Sequence, residues 1–394
     1  MSLPEVYQEI QIYLADQLRD PQGQPVLGKR TLERLTVLVA GILKAKQVAP
    51  ARIALAGAQL SERGTSAESV ERRVRRIEND PRVQTSTCLD PLVQALLAGH
   101  ALAELLLIVD PTLQQDRVVM VNLNAWYRGR SLPLAWTLWP ANQPLTGAGF
   151  WQRMAVLLDQ AARLLPAGMR VTVLADRAFG TPAFTDLVAG HGWHWIVRVQ
   201  GQTHCQDVCG REQAIAHLLS GPGERRKLHG RAFKKAGWRE ASVVVYWRPR
   251  FPAPLCLVTD LPPEWRVVGL YRRRFPIEPT FRDYKSYGWH WEQGQVSDLQ
   301  HLQRLLIGMA LATWLTMVVG ACRAADLFRQ PPSRKRHTRP WWGKMSLFRI
   351  GLEVWASCFD EGLPPWLWAG LPEWDAPNWS TQICAYHAKA FIFA

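Results

Sequence analysis

A chain of 394 residues is long for one domain and leaves room for two or three with a sizeable core. A hydrophobic share of 48% beside a charged share of 20% excludes an intrinsically disordered chain. The formal charge of +14 calls for an anionic partner, nucleic acid first, with a membrane surface or an acidic protein as the alternatives.

The opening MSLPEVYQEI has neither a basic region nor a small-residue cleavage site, so no signal peptide is expected. Residues 1–95 read as a helical domain. Leu32, Leu35, Val39, Ile42 and Leu43 recur at helical spacing within Thr31 to Lys46, and a short helix follows from Ala51 to Leu60. After a turn at Ser61 to Gly64, Thr65 with Glu68 three residues on predicts a capping box. The helix it opens has Val70, Val74 and Ile77 on one face and Arg72, Arg73, Arg75 and Arg76 on the rest. That pattern fits the second helix of a helix-turn-helix entering a major groove, and equally a plain basic bundle.

From about Ala101 the pattern becomes α/β. Ala103 to Val109 is an apolar run too short for a typical helix, read as a buried strand ending at Asp110. Arg117 to Trp126 and Leu132 to Trp139 are further strands, joined through Arg128, Gly129 and Arg130. Phe150 to Leu165 is an amphipathic helix, and Arg170 to Ala175 a strand that stops at Asp176. A helix to about Val188 and a strand over Trp193 to Val199 follow. Three meandering strands, then helix, strand, helix, strand, is the order of the ribonuclease H-like fold, in which the first and fourth strands bring their carboxylates side by side. Residues 201–256 form a β-rich insertion with a basic run from Arg225 to Arg239 and two tryptophans, Trp238 and Trp247. His204, Cys205 and Cys209 cluster there without a second ligand pair, so no zinc site is expected. The seven cysteines show no pairing rhythm and fit a reducing cytosol.

The stretch Tyr271 to Lys285, YRRRFPIEPTFRDYK, puts Tyr271, Arg274, Glu278 and Lys285 at steps of three, four and seven. At roughly 100° per residue these fall within an arc of about 60° on one ideal helix. Pro276 and Pro279 lack amide donors, which predicts a break near Phe275 and a second helix starting close to Pro276. Leu305 to Ala321, interrupted by Gly308, Thr313, Thr316 and Gly320, reads as a core helix rather than a membrane span. Residues 329–394 change composition. Arg334, Lys335, Arg336, Arg339, Trp341, Trp342 and Lys344 form a basic aromatic patch for DNA, for a second subunit, or for solvent.

Clustered carboxylates repel by a few kcal/mol at about 4 Å and an effective dielectric near 20, so a cation is needed among them. Hard oxygen ligands select Mg²⁺ or Mn²⁺. Two such ions at about 4 Å would activate a water or a 3′ hydroxyl and stabilise the leaving oxygen of a phosphodiester. Asp110, Asp176 and Glu278 are the expected catalytic and metal-binding acids, with Asp110 bridging; Asp116, Asp186 and Asp283 are the fallbacks. Arg177 and Arg198 lie beside the expected site and, with Tyr271, Arg274 and Lys285, suit phosphate.

The four-position pattern resembles the tyrosine-arginine-glutamate-lysine signature of the DDE transposases of insertion sequence family four, and the β-rich insertion resembles the same branch. The resemblance covers about residues 100–325. It implies a ribonuclease H-like catalytic domain over residues 96–328. It also implies a bacterial, nucleoid-associated cytoplasmic enzyme that binds terminal inverted repeats as a homodimer, cuts them through a hairpin intermediate and joins the freed 3′ ends to target DNA. Some members place a tryptophan at the start of the last insertion strand for a flipped base, where this chain has Leu255. Charge and periodicity alone support a metal-dependent enzyme acting on nucleic acid. A nuclease without end joining and a silent DNA-binding repressor stay open.

Overall fold

The computed structural model describes residues 1–60, 64–100, 102, 104–296, 298–329, 345–365 and 367–372. Six helices open the chain: α1 (Leu3–Gln17), α2 (Lys29–Ala45), α3 (Pro50–Gln59), α4 (Ala67–Glu78), α5 (Thr85–Cys88) and α6 (Asp90–Ala98). Leu35, Val39, Ile42 and Leu43 of α2 are buried, as their spacing predicts, and Leu32 of the same face is half-buried. In α4 the buried residues include Val70, Val74 and Ile77. Its cap lies one residue later than expected: Ser66, extended at φ −67°, accepts from the Ser69 amide at 3.3 Å.

Three long strands follow, β1 (Glu104–Gln114), β2 (Val118–Tyr127) and β3 (Arg130–Pro140), then α7 (Gly147–Leu164), β4 (Arg170–Ala175), α8 (Pro182–Gly190) and β5 (His194–Arg198). β1 is antiparallel to β2 and parallel to β4, β2 is antiparallel to β3, and β4 is parallel to β5. The order β3-β2-β1-β4-β5 with these directions is the ribonuclease H-like sheet. The insertion supplies β6 (His204–Asp207), β7 (Glu212–Ala214), β8 (Arg225–Ala232) and β9 (Arg239–Tyr246), and β10 (Leu255–Thr259) returns antiparallel to β5. Among the described residues the ten strands form one sheet, so the insertion lengthens the sheet at the β5 edge.

Helices α9 (Arg266–Arg272) and α10 (Ile277–Arg282) lead through a π-helical turn, Asp283–Tyr287, to α11 (Leu299–Arg329) and then α12 (Leu347–Glu361). By length and composition α11 could cross a membrane, yet 94% of its most apolar window is buried inside the protein. It lies on β3, where Trp314 donates to the Pro133 carbonyl at 2.8 Å, and it also packs on α2, α4 and α12. Helices α11 and α12 approach closely at Gly320 and Gly351, where any Cβ would collide with the backbone of the facing helix. The N-terminal helices, the sheet, α11 and α12 share one continuous apolar core. The stretch beyond residue 329 therefore includes a core helix, α12, with Phe348 and Trp355 buried. The patch from Arg334 to Lys344 lies outside the described residues.

Candidate active site

The parallel register of β1 and β4 runs from Glu104↔Arg170 to Val109↔Ala175. One further step along each chain reaches Asp110 and Asp176, so the two aspartates stand beside each other just past the end of the parallel pairing. β1 was expected to end at Asp110. Instead it continues to Gln114 as the partner of β2 alone, with Asp110 opposite Asn122. Pro111, which has no N–H, falls where β4 no longer runs alongside, the position a strand proline tolerates. Asp110 is 7% exposed. Asp176 caps the 3₁₀ turn Arg177–Phe179 by accepting from the Ala178 amide at 2.8 Å.

The expected break in the Tyr271 to Lys285 stretch is present. α9 ends at Arg272, residues 273–276 form turns, and α10 begins after Pro276. Tyr271 and Arg274 are buried while Glu278 is exposed. A guanidinium nitrogen of Arg274 donates to Asp110 at 2.8 Å and lies 3.7 Å from Asp176, so one cation bridges the two aspartates. Burial pushes the Asp110 carboxyl up to about 6; Arg274 opposes the shift, and the charges of Asp176 and Glu278 add to it. Asp110 therefore feels the charges of both other acids. Burial also pushes the Tyr271 phenol up to about 12, in a field set by Arg274, Arg198, Asp176 and Asp110. Arg274 is held charged by Asp110, Tyr271 and Asp176 against the cost of its burial.

Lys285 lies beyond α10, in the turn Asp283–Tyr287. The π turn that contains it winds more loosely than an α-helix, and Lys285 forms its ion pair with Glu292 at 3.6 Å. Arg177 is exposed beside Asp176, and Arg198 ends β5, its buried Nε without a hydrogen-bond partner. The Nε of Arg274 is likewise unpartnered. Arg72, Arg73, Arg75 and Arg76 are all exposed on α4, with Arg75 paired to Glu71 at 2.7 Å.

The fallback acids have other work. Asp116 turns the β1–β2 hairpin at φ 56°, Asp186 pairs with Arg239 at 2.9 Å, and Asp283 lies 3.5 Å from Arg130. His204 pairs with Glu212 at 2.7 Å, and Cys205 is buried with its thiol pushed up to about 11. Trp247 is half-buried and donates to the Phe251 carbonyl at 2.9 Å. Trp265, which the sequence reading passed over, lies under Arg225 at 4.8 Å and Lys227 at 6.0 Å. The basic run of β8 pointed to cations there, but nothing in sequence spacing brings them to a residue about 40 positions on.

The donor chemistry of Asp110, Asp176 and Glu278 suits a hard divalent cation, and the place between the two aspartates already accepts positive charge from Arg274. Among the described residues, however, no three acidic, histidine or cysteine side chains stand close enough to share one ion.

The sheet order is ribonuclease H-like, with Asp110 and Asp176 side by side just past the β1–β4 pairing and Glu278 on a later helix. Residues 122–315, just under half of the chain, match the family described as Transposase DDE domain. The matched stretch starts within β2, after Asp110, and includes Asp176 and the whole Tyr271 to Lys285 segment. Among solved structures, the cryo-EM structure of a piggyBac transposase synaptic complex with hairpin DNA matches at TM-score 0.42 and 11% identity, covering 95% of this chain and 84% of that one. The crystal structure of human ENDOV matches at TM-score 0.28 and 13% identity, covering 55% of this chain and 95% of that one. No curated protein matches the chain in sequence.

Proposed function

We propose that this protein is a cut-and-paste DNA transposase whose catalytic acids are Asp110, Asp176 and Glu278. The observation that carries the reading is the register of β1 and β4, which sets Asp110 beside Asp176, with the charge of Glu278 felt at Asp110. The family match over residues 122–315 supports the same reading. Asp110, Asp176 and Glu278 would hold Mg²⁺ or Mn²⁺, in all two ions, once Arg274 withdraws. Such a cation, when bound, makes a water or 3′ hydroxyl nucleophilic and stabilises the leaving oxygen of the phosphodiester. Arg274, released from the aspartates, would offer a phosphate its guanidinium, as would Arg198; the Nε of each is buried without a partner. Arg177, exposed at the same edge, and Lys285 would extend the grip on the backbone.

The exposed arginines of α4 would meet the terminal inverted repeats, and two copies of the chain would hold the two ends and the target DNA. A cytoplasmic, nucleoid-associated location goes with this role. The test uses end-labelled DNA bearing the inverted repeats that flank the gene, with Mg²⁺ or Mn²⁺, and compares wild type with Glu278→Gln. Metal-dependent cutting at the repeat tips, lost in the variant while binding persists, is expected. Wild-type binding without cutting under either metal would replace the reading with a silent DNA-binding repressor. Cutting without joined products would replace it with a nuclease.

A further inference from the structure

The helix that carries Glu278 is fastened to the β2–β3 hairpin by buried polar groups. Thr280 Oγ1 accepts from the Ser131 amide at 3.3 Å and from the Ser131 hydroxyl at 3.0 Å, and donates to the Pro276 carbonyl at 2.9 Å. A hydroxyl offers one donor and two acceptor positions, so that of Thr280 is fully used. Ser131 Oγ in turn accepts from Asn124 Nδ2 at 3.0 Å. Asn124, Ser131 and Thr280 are 0%, 2% and 3% exposed. Three residues beyond Thr280, Asp283 faces Arg130, the residue before Ser131, at 3.5 Å. The hairpin thus grips the helix at two points through consecutive residues.

α10 has only six residues and lies between a proline-containing turn and a π turn, so its own hydrogen bonds do little to fix it. Apolar contact alone would hold it against the sheet while leaving its rotation and height loosely set. Directional bonds between buried partners set both. Two residues along a helix are about 200° apart, so Glu278 faces away from the Thr280 contact. The same hairpin pairs with β1 through Asn122↔Asp110, making it the common frame of the first and third acids.

We propose that Thr280, Ser131, Asn124 and the Arg130–Asp283 pair are positioning residues that set the rotation and height of α10, and so the approach of the Glu278 carboxylate to Asp110 and Asp176. The inference rests on the reading of Glu278 as the third acid of a metal-dependent site.

Thr280→Val keeps the shape, removes the hydroxyl and strips the Ser131 amide and hydroxyl of their acceptor. The full-length protein is compared as wild type, Thr280→Val, Thr280→Ser and Glu278→Gln, with Val243→Ala in β9 as a control for lost stability alone. Two readouts are taken: the Mn²⁺ concentration giving half-maximal cleavage, and Mn²⁺ bound without DNA, followed by electron paramagnetic resonance. Thr280→Val is expected to raise the half-maximal Mn²⁺ on the order of tenfold or more and to weaken Mn²⁺ binding in parallel. Thr280→Ser restores both to within about twofold, and Val243→Ala moves neither.

Thr280→Val that matches wild type in both readouts, while Glu278→Gln abolishes cleavage, overturns the clamp and leaves the third acid in place. An equal shift in Val243→Ala overturns it as well, since the effect is then one of stability alone. Wild-type cleavage unaffected by Glu278→Gln removes the third acid itself, and the clamp with it. If Thr280→Val does not fold, Arg130→Lys, which keeps the charge and loses the planar fork, is read in the same two assays.

Discussion

Arg274 is the counter-charge of Asp110, and that pairing decides what its removal does. Breaking a buried pair by deleting one partner costs about 3–5 kcal/mol when the survivor must stay charged. Asp110 has an escape, because burial has already pushed its carboxyl up to about 6 and loss of Arg274 pushes it further, into protonation. Arg274→Ala is therefore expected to destabilise the metal-free protein by about 2 kcal/mol at pH 7.5 and by clearly less at pH 5, read from urea unfolding at the two pH values. Mn²⁺ at millimolar concentration should recover part of the loss at pH 7.5, since a bound cation replaces the missing charge. The sequence identified Arg274 as a cation near phosphate. It did not show that the guanidinium sits between the two aspartates, because that contact joins residues 164 positions apart and depends on how α9 docks on the sheet.

The elements of the catalytic half were legible for a simple reason: each is bounded by a residue whose backbone chemistry admits few alternatives. Pro276 marks the break between α9 and α10, and an apolar run closed by an aspartate announces β4. The phase of Lys285 was not legible, because helical spacing assumes a constant 100° per residue and the π turn at Asp283–Tyr287 breaks that regularity. The cap of α4 was misplaced by one residue because Thr65 and Ser66 both suit the role, and the choice rests on which one is extended as the chain enters the helix. Ser66→Ala should accordingly cost about 1 kcal/mol in thermal or urea unfolding. On the exposed face of α4, Arg72→Ala combined with Arg76→Ala is expected to leave the unfolding midpoint nearly unchanged. It should weaken binding to repeat DNA and to random DNA alike, lowering the salt slope of log K by about 2 if both arginines meet phosphate. A slope equal to that of wild type would take α4 out of the DNA interface.

At the scale of the whole molecule, one sheet of ten strands and one continuous core bind regions that composition separates. Amphipathic periodicity showed which face of α2 is buried, but it could not say that α11, more than 250 residues later, covers it. That long-range packing also buries carboxyls at a cost. Burial pushes Asp283 up to about 6, with Arg130, Arg282 and Arg349 opposing, and pushes Asp90 up to about 6, with Arg163 opposing. A carboxyl whose pKa is raised by folding binds its proton more tightly in the native state than in the unfolded chain. Stability then falls as pH rises from the unfolded value near 4 toward 6, and stays at the lower level above it. Asp80 works the other way: hydrogen bonds from Arg82 lower it to about 2, so its contribution is lost only as pH falls from about 4 through 2. The metal-free protein should therefore be most stable near pH 4, with a total loss on the order of 2–4 kcal/mol by pH 7.5. Asp283→Asn, which cannot charge, should flatten part of that slope in urea unfolding followed across the range. A slope unchanged by Asp283→Asn would mean that the ion pair with Arg130 already compensates the burial of Asp283.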